Sequence, residues 1–242
     1  MPTNPILTDV WVYLAQTPLL WLTATLLAYL FADWLYQRAG RMPLLNPVVV
    51  AIALLVGILL ITDTDYQTYF DGAQFVHFLL GPATVALAIP LYSYIGRLRA
   101  MLLPLVLALL GGSATGILAA VGVGWLLGLE PTILRSLAPK SITTPIAMGI
   151  SEQIGGIPSL TAVLVILTGI IGALFANELL LRLRFRDESV RGFAIGLAAH
   201  GIGTARALQI STEAGAFAGL AMGLNGAVTA ILVPLLLRLL GL

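Results

Sequence analysis

Apolar runs long enough to cross a lipid bilayer recur along this chain. They cover approximately residues 18–37, 47–62, 73–95, 101–129, 159–181, 192–210 and 214–240. One transmembrane helix needs about 20 apolar residues. The chain has 59% hydrophobic and only 10% charged residues, whereas a soluble domain has about 25% charged residues. The sequence therefore predicts an all-α polytopic membrane protein, with about seven transmembrane helices in a single domain over residues 1–242.

The stretch between the fourth and fifth runs has a different pattern. Residues 141–158 read SITTPIAMGISEQIGGIP, in which prolines and glycines interrupt any helix. Irregular backbone at membrane depth is tolerated only where protein or a water-filled cavity surrounds it. We therefore expect a re-entrant or broken segment here, which enters the membrane and returns to the same side.

The distribution of arginine predicts the orientation, because Lys and Arg accumulate in cytoplasmic loops. Arginines follow the first, third and fifth runs and close the last one: Arg38, Arg41, Arg97, Arg99, Arg182, Arg184, Arg186, Arg191 and Arg238. The loop after the second run has three aspartates and no cation. With a re-entrant stretch, these features place the N-terminus outside and the C-terminus in the cytoplasm, in a multi-pass protein of the inner cell membrane. Arg135 and Lys140 then lie outside.

Two short similarities indicate an internal duplication. The peptide LLNPVVVAI resembles ITTPIAMGI, and GPATVALA resembles GIGTARAL. The paired positions are Asn46 and Pro47 with Thr144 and Pro145, and Gly81 and Thr84 with Gly201 and Thr204. In the predicted topology the copies run in opposite directions, which suggests inverted halves, about 18–129 and 131–242. Carriers of this kind place their site near the midplane between discontinuous helices. Asn46, Pro47, Gly81, Pro82, Thr84 and Pro145 are the predicted helix breaks.

The segment AAHGIGTARALQ places two ionisable residues, His200 and Arg206, inside an apolar run. Such groups are costly in a membrane unless they face a cavity or a partner. Gly201 and Gly203 can release the backbone, and a helix that restarts near Gly203 would present free N–H groups beside the Thr204 hydroxyl and the Arg206 charge. This arrangement could bind a carboxylate. In the alternative, Arg206 pairs structurally or reaches the interface, and His200 makes a core hydrogen bond.

Further polar side chains are candidates for ligand binding. The interrupted stretch concentrates Ser141, Thr143, Thr144, Ser151, Glu152 and Gln153. These groups could bind a substrate or a small cation, or they could belong to a solvated external loop. His77 is a candidate for proton handling, with a structural role as the alternative. Asn225 is expected to form interhelical hydrogen bonds, and Glu178 to form an ion pair at the membrane interface.

Enzymatic signatures are absent from the sequence. It has no cysteine, and it lacks the HExxH, Walker A and GxSxG motifs. A net charge of +1 gives no indication of a nucleic-acid partner. We expect no enzyme activity and no resident cofactor or metal, and a proton or a sodium ion is the candidate coupling ion.

Three blocks carry a family resemblance: APKSITTPIAMGISEQIGGIPSLTAVLVILTGIIGALF, RGFAIGLAAHGIGTARALQ and GAFAGLAMGLNGAVTAILVPLLL. Together with PLLNPVVVAI they make the chain similar to the LrgB/CidB family of bacterial membrane proteins. The resemblance implies an antiholin-like or holin-like factor that modulates murein hydrolase activity with a small partner of the LrgA/CidA type. It also implies transport, because relatives include a plastid carrier of glycolate and glycerate and bacterial pairs linked to pyruvate uptake. The family further resembles cation/proton antiporters and bile-acid symporters, whose discontinuous helices cross at the substrate site.

Two functions follow as hypotheses. The first is a secondary carrier of small monocarboxylates, such as pyruvate, lactate, glycolate or glycerate, in the lipid bilayer. The second is a regulator of murein hydrolases and lysis, or a pore subunit, that assembles with an LrgA/CidA-type partner. A homo-oligomer is compatible with either.

Overall fold

The computed structural model describes residues 18–40, 42, 45–79, 82, 85–86 and 88–242. Its backbone divides into two compact units, Met1–Val85 and Ala86–Leu242, which are described separately below. The single domain and the two inverted halves stay predictions.

Unit 1 contains helices α1 (Pro18–Arg38), α2 (Pro47–Thr62) and α3 (Tyr66–Phe78). Helices α1 and α2 pack through small side chains, among them Ala32 and Ala51. Asn46 caps α2, because its side chain accepts a 2.9 Å hydrogen bond from the Val48 N–H. Pro47 occupies the first helical position. The N–H that proline lacks would have no partner within the helix at this position, so proline is well tolerated there. The predicted break at Asn46 and Pro47 is therefore the start of a helix.

The third apolar run is not one continuous helix. Helix α3 ends at Phe78, and Leu79 is in a turn, whereas Pro82, Val85 and Ala86 are helical again before helix α4 (Ala88–Ser93). The break thus precedes Pro82, in agreement with the clash between a proline and the previous helical turn. The predicted break residues Gly81 and Thr84, and the side chain of His77, lie outside the described residues.

Unit 2 contains the other helices whose bounds the structure describes. They are α4 (Ala88–Ser93), α5 (Ile95–Ala100), α6 (Leu102–Leu126), α7 (Pro131–Leu137), α8 (Thr144–Gln153), α9 (Pro158–Arg182), α10 (Glu188–Ile210) and α11 (Thr212–Leu239). Within the described ranges, α1, α6, α9 and α11 are the 4 helices long and apolar enough to cross a membrane, and α2 is a shorter apolar helix. The chain is thus an all-helical, multi-pass membrane protein over these residues, and the number of about seven transmembrane helices stays a prediction.

Helices α7 and α8 form a hairpin, here called hairpin 1, with its tip at residues 138–143. Gly124 near the end of α6 lies against Leu134, whereas Gly116 in the middle of α6 lies near Ser141. The chain therefore runs back along α6 and reaches its mid-length at the tip. The return arm ends beside α7, because Ser136 of α7 accepts a 2.7 Å hydrogen bond from the backbone N–H that precedes α9. At 10 residues, or about 15 Å, α8 is too short to cross. This geometry agrees with the predicted re-entrant segment.

Helix α10 also reverses direction, and we call it hairpin 2. Its backbone leaves the helical conformation at Ala199 (φ −127°, ψ 15°) and His200 (φ 42°, ψ −135°). In the first arm, Gly192 and Gly196 pack on the backbone of Ala214 and Ala218 respectively, so this arm runs parallel to α11.

The second arm of hairpin 2 runs in the opposite direction. Thr204 contacts the Met222 sulfur at 3.9 Å, and Leu208 lies against Gly215, so the order of contacts along α11 is inverted. The predicted crossing by residues 192–210 is therefore wrong. The positive φ of His200 turns the chain at mid-run, and the run is too polar to face lipid along its length.

Arginines mark one end of unit 2. We call the arginine face the end at which α6 begins and α9 ends, which carries Arg97 and Arg182. The Arg97 guanidinium contacts Asp187 at 2.5 Å and Glu213 at 2.8 Å. Asp187 immediately precedes α10, and Glu213 is in the first turn of α11. Both helices therefore begin at the arginine face.

Helix α11 ends at the opposite face. Leu237 and Leu242 pack in one apolar cluster with Val121, close to the end of α6. Arg238 is thus separated from the arginine face by the length of α11, and the prediction that groups Arg238 and the C-terminus with the other arginines is wrong. The cause is hairpin 2, which removes one crossing from the predicted path. Which face is cytoplasmic, and where the N-terminus lies, stay predictions.

Candidate functional site

Asn225, in the middle of α11, connects the tips of both hairpins. Its Nδ2 group donates to the carbonyl of Leu197 at 2.8 Å and to that of Ser141 at 3.4 Å. Because a carbonyl only accepts, the amide must face these groups with its nitrogen. Its Oδ1 atom accepts from Ser113 at 2.6 Å and from Thr229 at 3.0 Å. The interhelical hydrogen bonding predicted for Asn225 is confirmed, and it satisfies backbone carbonyls at both hairpin tips.

A cavity of about 530 Å³ lies beside this junction, within the roughly 300–1,000 Å³ range typical of ligand pockets. Its polar lining consists of hydroxyl groups, one amide and one amine: Ser113, Thr115, Ser141, Thr168, Thr229, Asn225 and Lys140. The remainder of the lining is apolar or glycine. Ser113 and Asn225 are near the midpoints of α6 and α11, so the cavity is at mid-depth of the membrane.

Lys140, at the tip of hairpin 1, is the only charged residue that lines this cavity in the part of the chain that the structure describes. Its side chain is half-buried, and its Nζ atom lies 3.5 Å from the Ser141 hydroxyl. No carboxylate of the described residues lies within ion-pair distance of it. The sequence analysis treats Lys140 only as a topology signal. Its position next to the Pro- and Gly-interrupted stretch is the signal that could have identified it.

Of the predicted residues of hairpin 1, Ser141 lines the cavity, whereas Thr143, Thr144, Ser151 and Glu152 lie outside the lining. Thr143 and Thr144 are half-buried at the start of α8, and the Thr143 side chain makes no capping hydrogen bond. Pro145 is within the first turn of α8, so it starts the helix and does not break it. Ser151 is buried and accepts a 2.7 Å hydrogen bond from the Thr161 hydroxyl, and Glu152 is exposed near the end of α8.

His200 and Thr204 are hydrogen-bonded inside hairpin 2. The His200 Nε2 atom lies 2.9 Å from the Val165 carbonyl, so this nitrogen carries the proton. The Thr204 hydroxyl donates to the His200 carbonyl at 2.8 Å. His200 thus makes the core hydrogen bond that the alternative interpretation expects.

The two glycines after His200 are helical, so the expected restart near Gly203 is wrong and the break precedes Gly201. A Cβ atom at Gly203 would meet the Ala199 side chain at 2.6 Å and the Ile195 carbonyl at 3.0 Å. Gly203 therefore lets the two arms of hairpin 2 approach each other. Gly201 is half-buried near Met222.

Arg206 lies between hairpin 2 and α9. Its guanidinium is 3.6 Å from the Glu178 carboxylate and donates to the Gln209 side chain at 3.2 Å. The ion pair expected of Glu178 is confirmed. Nearby, the buried Arg191 donates to the Asn177 amide oxygen at 2.7 Å. This placement favours structural pairing of Arg206, and a role of the predicted residues in substrate binding stays a prediction.

Comparisons with known proteins agree over almost the whole chain. Residues 25–239 match the model of the LrgB-like family. The chain is 38% identical to Uncharacterized protein YwbG of Bacillus subtilis (strain 168) over 213 residues. This matched region covers 88% of this chain and 94% of that protein. The chain is 31% identical over 230 residues to Antiholin-like protein LrgB of Bacillus cereus (strain B4264), with 93% and 98% coverage. No solved structure matches the chain.

Proposed function

The chain belongs to the LrgB-like family, and from that premise we propose that it is a secondary carrier of small monocarboxylates, of the size of glycolate, glycerate, lactate or pyruvate. The observation that supports this proposal is the mid-depth cavity at the junction of the two hairpin tips. Buried polar groups inside a membrane helix bundle cost stability. A partly polar cavity of ligand size is therefore better explained by ligand binding than by helix packing.

The hairpins give this cavity the architecture of a carrier. Hairpin 1 starts and ends at the face opposite to the arginine face, and hairpin 2 starts and ends at the arginine face. Re-entrant elements that enter from opposite sides are expected of two inverted repeats, which many secondary transporters use for alternating access. Both hairpins lie in the second of the two predicted halves, so we propose that they are the discontinuous elements of the site and not repeats of each other.

The charge of the lining supports a small monoanion as substrate. Lys140 supplies one positive charge, and hydroxyls such as those of Ser113 and Thr168 supply neutral hydrogen-bonding groups. One carboxylate would balance the lysine, whereas a dicarboxylate would leave one negative charge without a partner in low dielectric. The Ser113 hydroxyl donates its proton to Asn225 and the Thr168 hydroxyl donates its proton to the Leu164 carbonyl. Their oxygens can therefore accept a hydrogen bond from the hydroxyl group that glycolate, glycerate and lactate carry.

The second candidate is an antiholin-like regulator of murein hydrolase activity and lysis, acting with an LrgA/CidA-type membrane partner. The printed names of relatives such as Antiholin-like protein LrgB favour it. Those names say nothing of carboxylate transport, so the comparisons support this candidate better than the carrier, and the cavity geometry supports the carrier better than the regulator. The carrier function and the regulator function are compatible if metabolite flux influences lysis.

Purified protein in liposomes tests the carrier. We expect saturable uptake of labelled glycolate or pyruvate, and counterflow when the vesicles are preloaded with unlabelled substrate, with empty vesicles as the control. Leakage that does not saturate would indicate a pore. Failure of all four acids to show uptake or counterflow, with or without a co-reconstituted LrgA/CidA-type partner, would refute the carrier and leave the regulator.

A further inference from the structure

Among the residues that the structure describes, Lys140 lines a cavity whose other lining residues carry no charge. The elements around it contribute hydroxyls, an amide and apolar groups from α6, α9, α10 and α11. His200 of hairpin 2 is not part of this lining, but it interacts electrostatically with Lys140. On hairpin 1, the Arg135 guanidinium lies at the far end beside Gly155.

An ammonium ion in such surroundings is costly unless an anion neutralises it. Lysine differs here from arginine, because an amine in an apolar site can release its proton whereas a guanidinium stays charged. A carboxylate that enters the cavity supplies the missing counter-charge and stabilises the protonated amine. Protonation of Lys140 and binding of the anion then favour each other, and this coupling is reciprocal.

Building on the carrier function, we propose that Lys140 is the carboxylate-binding residue of the cavity and that the substrate binds there together with one proton. In the binding step a neutral amine, a proton and a carboxylate form an ammonium–carboxylate pair. No other bond forms or breaks, and the net charge of the loaded site is unchanged. The carrier therefore moves a monocarboxylate and a proton together without moving net charge, which identifies the coupling ion as the proton.

Calorimetric titration of glycolate into the purified protein at pH 8, in buffers of different ionisation enthalpy, counts the protons taken up. We expect wild-type protein to take up close to one proton per anion. Lys140→Arg should bind glycolate with no proton uptake, because its side chain is always charged. Lys140→Met should bind it about tenfold to a hundredfold more weakly, because a charge-assisted contact is lost. Arg135→Met is the matched control, a cation of the same hairpin outside the cavity, and should behave like wild type.

Transport in liposomes separates the variants further. A pH gradient, acid outside, should drive glycolate uptake by wild-type protein whether or not a membrane potential is present. Uptake by Lys140→Arg should respond to the potential and not to the pH gradient, because each anion then moves with its own charge.

Four outcomes would overturn the inference. Unchanged affinity in well-folded Lys140→Met protein would remove this residue from the site. Proton uptake that persists in Lys140→Arg but is lost in His200→Gln would transfer the role to the histidine. If wild-type protein binds none of the four acids, the carrier function itself fails and this inference with it, whereas binding without proton uptake refutes the inference alone.

Discussion

Replacement of Asn225 measures how much the junction of the hairpin tips contributes to stability. In Asn225→Ala the Leu197 carbonyl loses a 2.8 Å hydrogen bond and the Ser141 carbonyl a longer one of 3.4 Å. Interhelical hydrogen bonds in membranes contribute about 0.6 kcal/mol on average, whereas a buried group left unsatisfied costs about 1–3 kcal/mol. The loss of one strong and one weak hydrogen bond, together with the cavity that the shorter side chain leaves, should lower the free energy of unfolding of Asn225→Ala by about 2–4 kcal/mol.

Two further variants make this prediction specific. Asn225→Asp conserves the shape but turns a carboxylate oxygen toward two carbonyl oxygens, so it should destabilise more than alanine. Ser113→Ala should cost less than about 1 kcal/mol, because Thr229 still donates to the Asn225 oxygen. Unfolding in mixed micelles with increasing dodecyl sulfate, followed by tryptophan fluorescence, ranks the three variants. An aspartate variant as stable as wild type, or a serine variant as costly as Asn225→Ala, would refute the assigned junction.

Three other changes have expected outcomes. Gly196→Leu should prevent recovery of monodisperse protein in size-exclusion chromatography, because its Cβ would overlap the Ala218 carbonyl, whereas Gly223→Ala, in open space on α11, should raise the melting temperature slightly. In this cysteine-free chain, cysteines at Leu240 and Arg184 should react with an impermeant thiol reagent from opposite sides of the membrane, and labelling from one side would contradict hairpin 2. The Ser189 hydroxyl, with the Val190 N–H and Arg97, lowers the pKa of Asp187, so the carboxylate stabilises the start of α10 above about pH 4. The melting temperatures of Asp187→Ala and wild type should therefore differ at pH 7 and converge as the pH falls below about 4.

Hairpin 1 could be predicted from sequence because its local signals are strong. Prolines and glycines interrupt residues 141–158, and the arginine distribution requires this stretch to return to the side it came from. The break in α10 could be expected for the same reason, but its position could not. Positive φ is normally assigned to glycine, and here His200 adopts it at φ 42°. Gly203 instead serves the close contact between the two arms, which depends on tertiary packing.

The cavity lining could not be predicted, because it depends on depth. The sequence predicts that Lys140 is a loop cation, but in the structure hairpin 1 runs back along α6 to Gly116. The sequence predicts that Arg206 binds a ligand, but in the structure α9 places Glu178 3.6 Å from it. In both cases the sequence identifies a charged group near the membrane interior, and only the packing of neighbouring helices decides whether that charge meets a partner or a cavity.

The hydrogen bonds of Asn225 also constrain how this protein is made. Its two carbonyl partners precede it by 28 and 84 residues, so both hairpin tips are synthesised before their donor exists. A tip inserted to mid-depth before that moment would expose unsatisfied carbonyls to hydrocarbon. Both hairpins must therefore wait near the membrane surface or inside the insertion machinery until α11 emerges, and they reach their final position in the membrane only after α11 has been made.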